Sequence, residues 1–190
     1  LNPLKDYQAV QKLKQLFRER KFDVVHTHSS KAGVVGRIAA WQAKVPVVVH
    51  TVHGQAFHRY EKPWKNAIYI LSEKYAASRC HRIYAVAQAM IDQCVEAGVA
   101  PRDKYQVVYS GMEIGDFLHA KPEPELRSKL GIPENVPVIA TLARLFPLKG
   151  YEFVLPAALK VAKEFTGVHF LRIGDGPMHD ELQKAIAAAG

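Results

Sequence analysis

The feature that most constrains the fold is the alternation of short, continuous apolar runs with longer segments of helical periodicity. The apolar runs are rich in β-branched residues and carry few charges. Strands of this kind, alternating with helices, are typical of a parallel sheet that is covered on both faces. The sequence therefore predicts the α/β class, with parallel sheets and helices on both faces. The four runs of the first half are FDVVHTHS, VPVVVHTVH, RIYAVA and YQVVYS.

Helical segments precede and separate these runs. The first helix is predicted to begin at Pro3, to be capped by Asn2 and to end near Arg20. The apolar residues of this helix, and those of the later helices, recur at the spacing that places them on one helix face. The later helices of this half are predicted at residues 31–44, 64–79 and 88–97, the second with Ile68, Leu71 and Tyr75 on one face.

The segment GMEIGDFLHAKPEPE, residues 111–125, interrupts the alternation with glycines, prolines and charges. It predicts a boundary between two domains, residues 1–120 and residues 121–190. The second domain has predicted helices at 123–131, 150–165 and 178 onward, and predicted strands at 136–143 and 168–174. Two strands are too few for an independent sheet, so we expect docking on the first sheet or self-association of the chain. We also expect a piece of a longer protein, truncated at both ends.

The composition favours a folded protein with an anionic partner. Of 190 residues, 48% are hydrophobic, and 26 Lys and Arg against 18 Asp and Glu give a formal charge of +8. Charge alone leaves nucleic acid, an anionic membrane surface and a phosphorylated small molecule open. No recognition-helix or aromatic-basic RNA pattern is present, so no nucleic acid is expected. Cys80 and Cys94 lack CxxC spacing, which favours reduced thiols and a cytoplasmic location.

Two strand ends of the second half carry a candidate anion site. In LARLFPLKG, Arg144 follows a strand and Lys149 precedes the next helix. Open α/β sheets bind ligands at the carboxyl ends of their strands, and helix N-termini favour phosphate. In RIGDGP, the next strand ends in two glycines that permit close approach of a ligand, followed by a proline that can open a helix. The alternatives are solvated loop cations and an ordinary tight turn. The residues of this second loop are Gly174, Asp175, Gly176 and Pro177.

Two strand ends of the first half carry polar candidates. HTHSSKAGVVGR offers Ser29 and Ser30 as helix caps, and its Gly33 and Gly36 allow either a ligand or close packing of the helix on the sheet. VVVHTVHG presents His53 and Gly54 after the neighbouring strand, where a core or surface histidine is the alternative. A metal site is the weaker interpretation, because no carboxylate stands at a matching strand end. Its ligands would come from His26, His28, His50 and His53.

The segment FHRYEKPWKNAIYI mixes aromatic and basic residues, as interfacial membrane anchors do. The alternative is a lid loop that leads into an ordinary core helix. Its aromatic residues are Phe57, Tyr60 and Trp64. Peripheral contact with an anionic membrane is therefore an expectation.

Taken together, these stretches resemble the family 4 glycosyltransferases, a retaining group with the GT-B architecture of two Rossmann-like domains. DVVHTHSSKAGVVGRIAA, VVVHTVHG and VVYSGMEIGDF are similar to segments of the family's acceptor-binding domain. LARLFPLKG and RIGDGP are similar to the opening of its nucleotide-sugar-binding domain. The resemblance covers essentially the whole chain.

The resemblance implies roles for the candidate residues. Arg144 and Lys149 would bind the diphosphate of a UDP- or GDP-sugar, and residues 174–177 would lie beside the nucleotide. His53 would be catalytic, facing the transferred sugar, while Ser29, Ser30, Lys31 and Gly54 would border the acceptor. No cofactor or metal is implied, since two fixed cations can stabilise the departing diphosphate. The family's glycine-rich first loop and its pair of glutamates are missing from this sequence, so we expect the chain by itself to lack turnover.

The resemblance predicts transfer of a sugar, with retention, to a saccharide or lipid-linked acceptor in polysaccharide or glycolipid biosynthesis. A cytoplasmic location, peripheral to the inner face of the membrane, fits such acceptors. Two alternatives remain open: a sugar-nucleotide epimerase of the same architecture, and a non-catalytic module that binds a phosphorylated ligand.

Overall fold

A computed structural model describes residues 3–123 and 125–188. The chain forms two compact units, which divide between Glu113 and Ile114. This division lies within the 111–125 segment that the sequence marks as a boundary. Asn2, the predicted cap of the first helix, lies outside the described residues.

The first unit is a four-stranded parallel sheet with helices between its strands. Neighbouring strands follow chain order, β1-β2-β3-β4, and each crossover is a helix or a helix with a 3₁₀ turn. Parallel pairing begins with Val24 opposite Val47 and ends with Ala85 opposite Val107. The elements are α1 (Pro3–Arg20), β1 (Val24–His28), α2 (Ser30–Gln42), β2 (Val47–Val52), α3 (Pro63–Ala77), β3 (Arg82–Ala85), α4 (Gln88–Glu96) and β4 (Tyr105–Val107).

The core of the first unit lies around β2 and β3. β2 is buried over nearly its whole length, as its continuous apolar run predicts, whereas β1 alternates between buried and exposed residues. Val24 of β1 is 55% exposed, while Val25 next to it belongs to the core. Cys80 and Cys94 are free and buried in the same core, and burial raises the pKa of both thiols.

The second unit contains a separate two-stranded parallel sheet. Its strands are in register from Val138 opposite His169 to Leu142 opposite Ile173. The helix predicted at 123–131 is found only as a single turn at Leu126–Lys129, and residue 124 of that prediction lies outside the described residues. Gly131, which adopts a left-handed conformation, follows the end of this turn. The elements are α5 (Gly115–Leu118), α6 (Leu126–Lys129), β5 (Val138–Leu142), α7 (Tyr151–Glu164), β6 (His169–Ile173) and α8 (His179–Ala187).

The α3 helix packs on the core, but through a different face from the one that its apolar spacing predicts, with Ala76 and Ala77 buried. Trp64, Ile68, Leu71 and Tyr75 recur at one helical face, yet each is between 41% and 65% exposed. Phe57, grouped with Tyr60 and Trp64 as an anchor in the sequence, is instead a core residue. Within the described residues, no helix combines the length and the hydropathy that crossing a bilayer requires.

Candidate functional site

Three histidines cluster where β1 and β2 end. In a parallel sheet the carboxyl ends of neighbouring strands lie at one edge, and the register places His28 opposite Thr51, two residues before His53. His26 and His28 are two residues apart in β1 and share a face. We call His26, His28 and His53 the histidine cluster.

Direct contacts join the members of the histidine cluster. The ring centroids of His26 and His28 are 4.2 Å apart, and His28 Nδ1 lies 3.0 Å from His53 Nε2. One of these two nitrogens donates a proton and the other accepts it, so each ring fixes the tautomer of its partner. His26 Nε2 is 2.7 Å from the Thr51 hydroxyl oxygen. Burial, followed by the charges that His28 and His53 can carry, lowers the pKa of His26.

The serines border the same strand edge but do not cap α2 as predicted. Ser29 is the residue before the helix, and neither its hydroxyl nor another side chain makes a capping bond. Its φ of 63° is unusual for a residue with a side chain, and such strain concentrates at functional sites. The Ser30 hydroxyl donates to the Gly54 carbonyl oxygen at 3.4 Å. The candidate acceptor residues of the two strand ends are therefore in contact.

Lys31 lies one residue further along, on the exposed side of α2. Its ammonium group is 2.8 Å from a carboxylate oxygen of Asp6 in α1. The Lys31 side chain is exposed, so this pair contributes little to stability. The ammonium group can therefore exchange Asp6 for an anionic ligand at low cost.

A buried ionic layer lies beneath the strand edge, and sequence analysis missed it. The Arg37 guanidinium is fully buried, donates through Nε to the Gly33 carbonyl oxygen at 2.9 Å and pairs with Glu73 of α3 at 2.6 Å. The His50 ring lies below Gly33, with its Nδ1 2.9 Å from the Thr27 hydroxyl. Burial, together with the Arg37 charge, lowers the pKa of His50 to about 3. The imidazole of His50 is therefore neutral at physiological pH.

A signal for this layer was present in the sequence. Gly33, Gly36, Arg37 and Ala40 recur at i, i+3, i+4 and i+7, which is the spacing of the buried face of a helix. A guanidinium on that face requires a carboxylate partner. The partner itself, Glu73, follows only from the packing of α2 against α3.

No metal centre is visible in the part of the chain that the structure describes. Within residues 3–123 and 125–188, no group of three or more His, Cys, Asp or Glu side chains could hold a metal ion. His26, His28 and His53 bind one another and Thr51, while His50 faces Thr27. The metal interpretation therefore gains no support.

In the second unit, Arg144 and Lys149 lie on one loop that is fixed from below. Leu145 between them is fully buried and packs with Tyr151 of α7 and Leu182 of α8. The Tyr151 hydroxyl donates to the Ala143 carbonyl oxygen at 3.3 Å. Both cations are exposed, and neither makes an ion pair within the described residues. The loop therefore presents two positive charges that no carboxylate among the described residues pairs with.

The loop after β6 lies directly against this one. The Leu145 amide donates to the Asp175 carbonyl oxygen at 2.9 Å, and the Met178 amide donates to the Leu145 carbonyl oxygen at 3.1 Å. A Cβ at Gly174 would lie 2.0 Å from the Ala143 carbonyl oxygen, and one at Gly176 would lie 2.3 Å from that of Leu145. Both glycines also have positive φ angles, which side chains rarely allow. Glycine is therefore required at both positions by the backbone conformation and by the lack of room for a Cβ.

These contacts refine the reason for the glycines. The backbone of the facing loop is a close neighbour of both Gly174 and Gly176. Pro177 does not open the following helix either, since α8 begins at His179. The Asp175 carboxylate instead accepts a hydrogen bond from the Gly176 amide at 2.7 Å. The two loops thus form one rigid platform for Arg144 and Lys149.

The parallel sheets and strand-end loops define an α/β protein of the Rossmann-like type, which confirms the predicted fold class. Residues 1–111 match the family described as "Glycosyl transferase 4-like domain". This match covers more than half of the chain, so the protein belongs to the glycosyl transferase 4-like family, and the resemblance read from its motifs is confirmed.

Similar proteins agree with this assignment. The chain is 32% identical, over 95% of its length, to the Escherichia coli UDP-Gal:alpha-D-GlcNAc-diphosphoundecaprenol alpha-1,3-galactosyltransferase, and covers 47% of that protein. It is 29% identical, over 79% of its length, to the D-inositol 3-phosphate glycosyltransferase of Thermobispora bispora and covers 36% of it. The crystal structure of Anabaena HepE in complex with UDP and glucose superposes with a TM-score of 0.75 at 25% identity, covering 95% of this chain and 48% of that one. The chain therefore spans about half the length of these proteins or less.

Proposed function

We propose that the protein transfers a sugar, with retention, from a nucleotide diphosphate donor to a saccharide or lipid-linked acceptor in polysaccharide or glycolipid biosynthesis. The observation that carries the proposal is the pair of exposed, unneutralised cations, Arg144 and Lys149, on the platform formed by two glycine-dependent loops. Relatives that act on UDP-galactose or contain UDP support a uridine diphosphate sugar as the donor.

Arg144 and Lys149 would bind the donor diphosphate and stabilise the charge that develops on it as the sugar departs. Hydrogen bonds between a cation and a phosphate oxygen are stronger than hydrogen bonds between neutral groups. The platform holds the two cations in place before the donor binds. Residues 174–177 would border the nucleotide. The free N–H groups at the start of α7 add partial positive charge on the same loop.

His53 would contact the transferred sugar, and Ser29, Ser30, Lys31 and Gly54 would border the acceptor. The bond between His28 and His53 supports this role, because it orients the His53 ring and fixes its tautomer. His28 is thus a positioning residue in this proposal. The contact between Ser30 and Gly54 holds the two strand ends of the acceptor side together.

The exposed face of α3 supports peripheral contact with an anionic membrane at the cytoplasmic face. Trp64, Ile68, Leu71 and Tyr75 form an exposed apolar stripe, and basic residues accompany it. Each basic residue near an anionic surface adds about 1 kcal/mol of attraction, which salt screens. The basic residues of this region are Lys62, Lys65, Lys74 and Arg79. The last proposed partner is a second copy of the chain, which would pair with the two-stranded sheet of the second unit.

The test replaces Arg144 and Lys149 by Ala in the full-length protein, singly and together. Each charge-assisted contact contributes about 1.5–3 kcal/mol, so the double variant should lose at least about a hundredfold in transfer. Transfer is measured from UDP-galactose to GlcNAc-diphosphoundecaprenol, and UDP binding is measured by calorimetry. The matched control is Lys160→Ala, which removes an exposed charge from α7.

The expected result is loss of both transfer and UDP binding in the double variant, with an unchanged melting temperature. Near-native transfer by the double variant would refute the role of the two cations. UDP formation that does not depend on the acceptor would instead argue for a hydrolase. Conversion of the donor into an epimeric UDP-sugar without any acceptor would argue for an epimerase. UDP binding by wild type without any turnover would favour the non-catalytic module.

A further inference from the structure

The α2 helix lies unusually close to the sheet because of two glycines. A Cβ at Gly33 would be 2.3 Å from Cε1 of His50, and a Cβ at Gly36 would be 2.7 Å from the Thr27 methyl group. Real side chains keep longer distances, so only glycine permits this separation. The helix is therefore packed closely on His50 of β2 and Thr27 of β1.

A groove runs along α2 on the surface of the first unit. Its floor is the outward face of α2, formed by Val34, Val35 and Ile38. Its walls are α1 and α3, which contribute Tyr7, Val10 and Ile68 among others. The groove has a volume of about 620 Å³. An exposed apolar groove of this size on one domain is typical of a binding surface.

The groove is continuous with the acceptor side of the candidate site. Ser30 and Lys31, at the start of α2, line its mouth together with Asp6. Ser30 also contacts Gly54 at the strand edge. The ion pair between Lys31 and Asp6 therefore stands at this end of the groove, and an apolar floor runs away from it along the helix. The other carboxylate that lines the groove, Glu73, is paired with the buried Arg37.

We propose that this groove binds the hydrocarbon chain of a lipid acceptor whose phosphate-bearing head lies at Ser30 and Lys31. This inference rests on the proposed transferase function and specifies its acceptor. An anionic amphiphile matches the order of chemistry along the groove: the head can replace Asp6 as the partner of Lys31, while the chain covers the valines and Ile38. The polar first turn of α2 and the apolar remainder thus recognise different parts of one molecule.

The test compares two acceptors that differ only in the chain. One is GlcNAc-diphosphoundecaprenol in detergent, and the other is a water-soluble analogue with an ethyl group in place of the undecaprenyl chain. Two variants of the full-length protein alter the groove. Tyr7→Asp introduces a charge at an exposed wall position, and Ile38→Trp fills the floor. The control is Leu4→Asp, also on α1 and about equally exposed, at 67% against 63% for Tyr7, but outside the groove.

We expect each groove variant to raise KM for the undecaprenyl acceptor by about tenfold while changing KM for the ethyl analogue by less than about twofold. Leu4→Asp should leave both values near those of wild type. Tyr7→Asp keeps the test decisive if Ile38→Trp does not fold, because Tyr7 is an exposed residue.

Several results would overturn the inference while leaving the transferase standing. One is a wild-type enzyme with equal KM for both acceptors, and another is an equal rise of both KM values in the groove variants. A third is a dimer that Tyr7→Asp dissociates without a selective change in KM, since the groove would then bind a second copy. Absence of transfer from wild type to either acceptor, with UDP binding retained, would overturn the assignment of this acceptor. Absence of both transfer and UDP binding would instead remove the proposed function itself.

Discussion

Replacement of Gly33 by Ala tests whether α2 packs closely on the sheet. The new methyl group would lie 2.3 Å from Cε1 of His50, whereas ordinary contacts begin at 3.4 Å, so one of the two groups must move by about 1 Å. The His50 ring is buried, and its Nδ1 is bonded to the Thr27 hydroxyl at 2.9 Å. Movement of the ring breaks that bond, and movement of α2 opens the buried interface.

Opposing terms decide the sign of this change. Replacing Gly by Ala inside a helix stabilises the helix by about 1 kcal/mol. Overpacking costs about 1–3 kcal/mol, and loss of the hydrogen bond to Thr27 adds about 1 kcal/mol. The net expectation is a destabilisation of about 1–3 kcal/mol. Without the clash the same substitution would stabilise the protein, so the sign alone is informative.

Urea unfolding of the wild type and of Gly33→Ala measures the change in the free energy of unfolding. Gly111→Ala is the matched control, because a Cβ there meets nothing within 4 Å, and its effect should stay within about 0.5 kcal/mol. In a His50→Ala background, Gly33→Ala should become neutral or stabilising, which gives a coupling of about 2 kcal/mol. A Gly33→Ala variant that is more stable than wild type, or a coupling near zero, would refute the close packing of α2 on His50.

Two further predictions follow from the first unit. The pKa of His50 is about 3 in the folded state and 6.5 in the unfolded state, so between these two pH values the unfolded state binds more protons. The free energy of unfolding should therefore fall by about 2 kcal/mol from pH 7 to pH 5. The variant His50→Gln should flatten this pH dependence when unfolding is measured in urea. Trp64→Ala should weaken sedimentation with anionic vesicles at low salt by about threefold or more, since an interfacial aromatic is lost. The control Trp41→Ala, which removes a 46% exposed tryptophan from α2, should not, and an equal loss in both variants would contradict the α3 contact.

Most helices and strands could be predicted because their patterns are local. β2 is a continuous apolar run, and it is buried from Val48 to Val52. The helix predicted at 64–79 is found at Pro63–Ala77, with a proline at its start as the sequence indicates. The gathering of His28 and His53 also follows from topology, since both stand at the carboxyl ends of adjacent parallel strands.

What could not be predicted depends on contacts between distant segments. The stripe at Ile68 and Leu71 has the spacing of a buried face, but periodicity does not say whether a partner covers that face, and here it is exposed. The close packing of Gly174 and Gly176 against the backbone of Ala143 and Leu145 could not be predicted, because a loop in the sequence does not reveal that another loop will lie against it. The pairing of Arg37 with Glu73 likewise joins residues that only the packing of two helices brings together.

The position of α2 on the sheet links the strand edge to the groove, because the same helix contributes residues to both. Ser30 and Lys31 are held at the edge by the first turn of α2, and Val34 to Ile38 form the groove floor on the next turns. Gly33, between these two sets, fixes the depth of both through its contact with His50. A shift of α2 by about 1 Å would therefore move the mouth relative to the histidine cluster and also make the groove shallower, and misplacement on this scale is enough to reduce a reaction rate substantially. The glycines of HTHSSKAGVVGR thus affect the proposed acceptor site through the position of the helix.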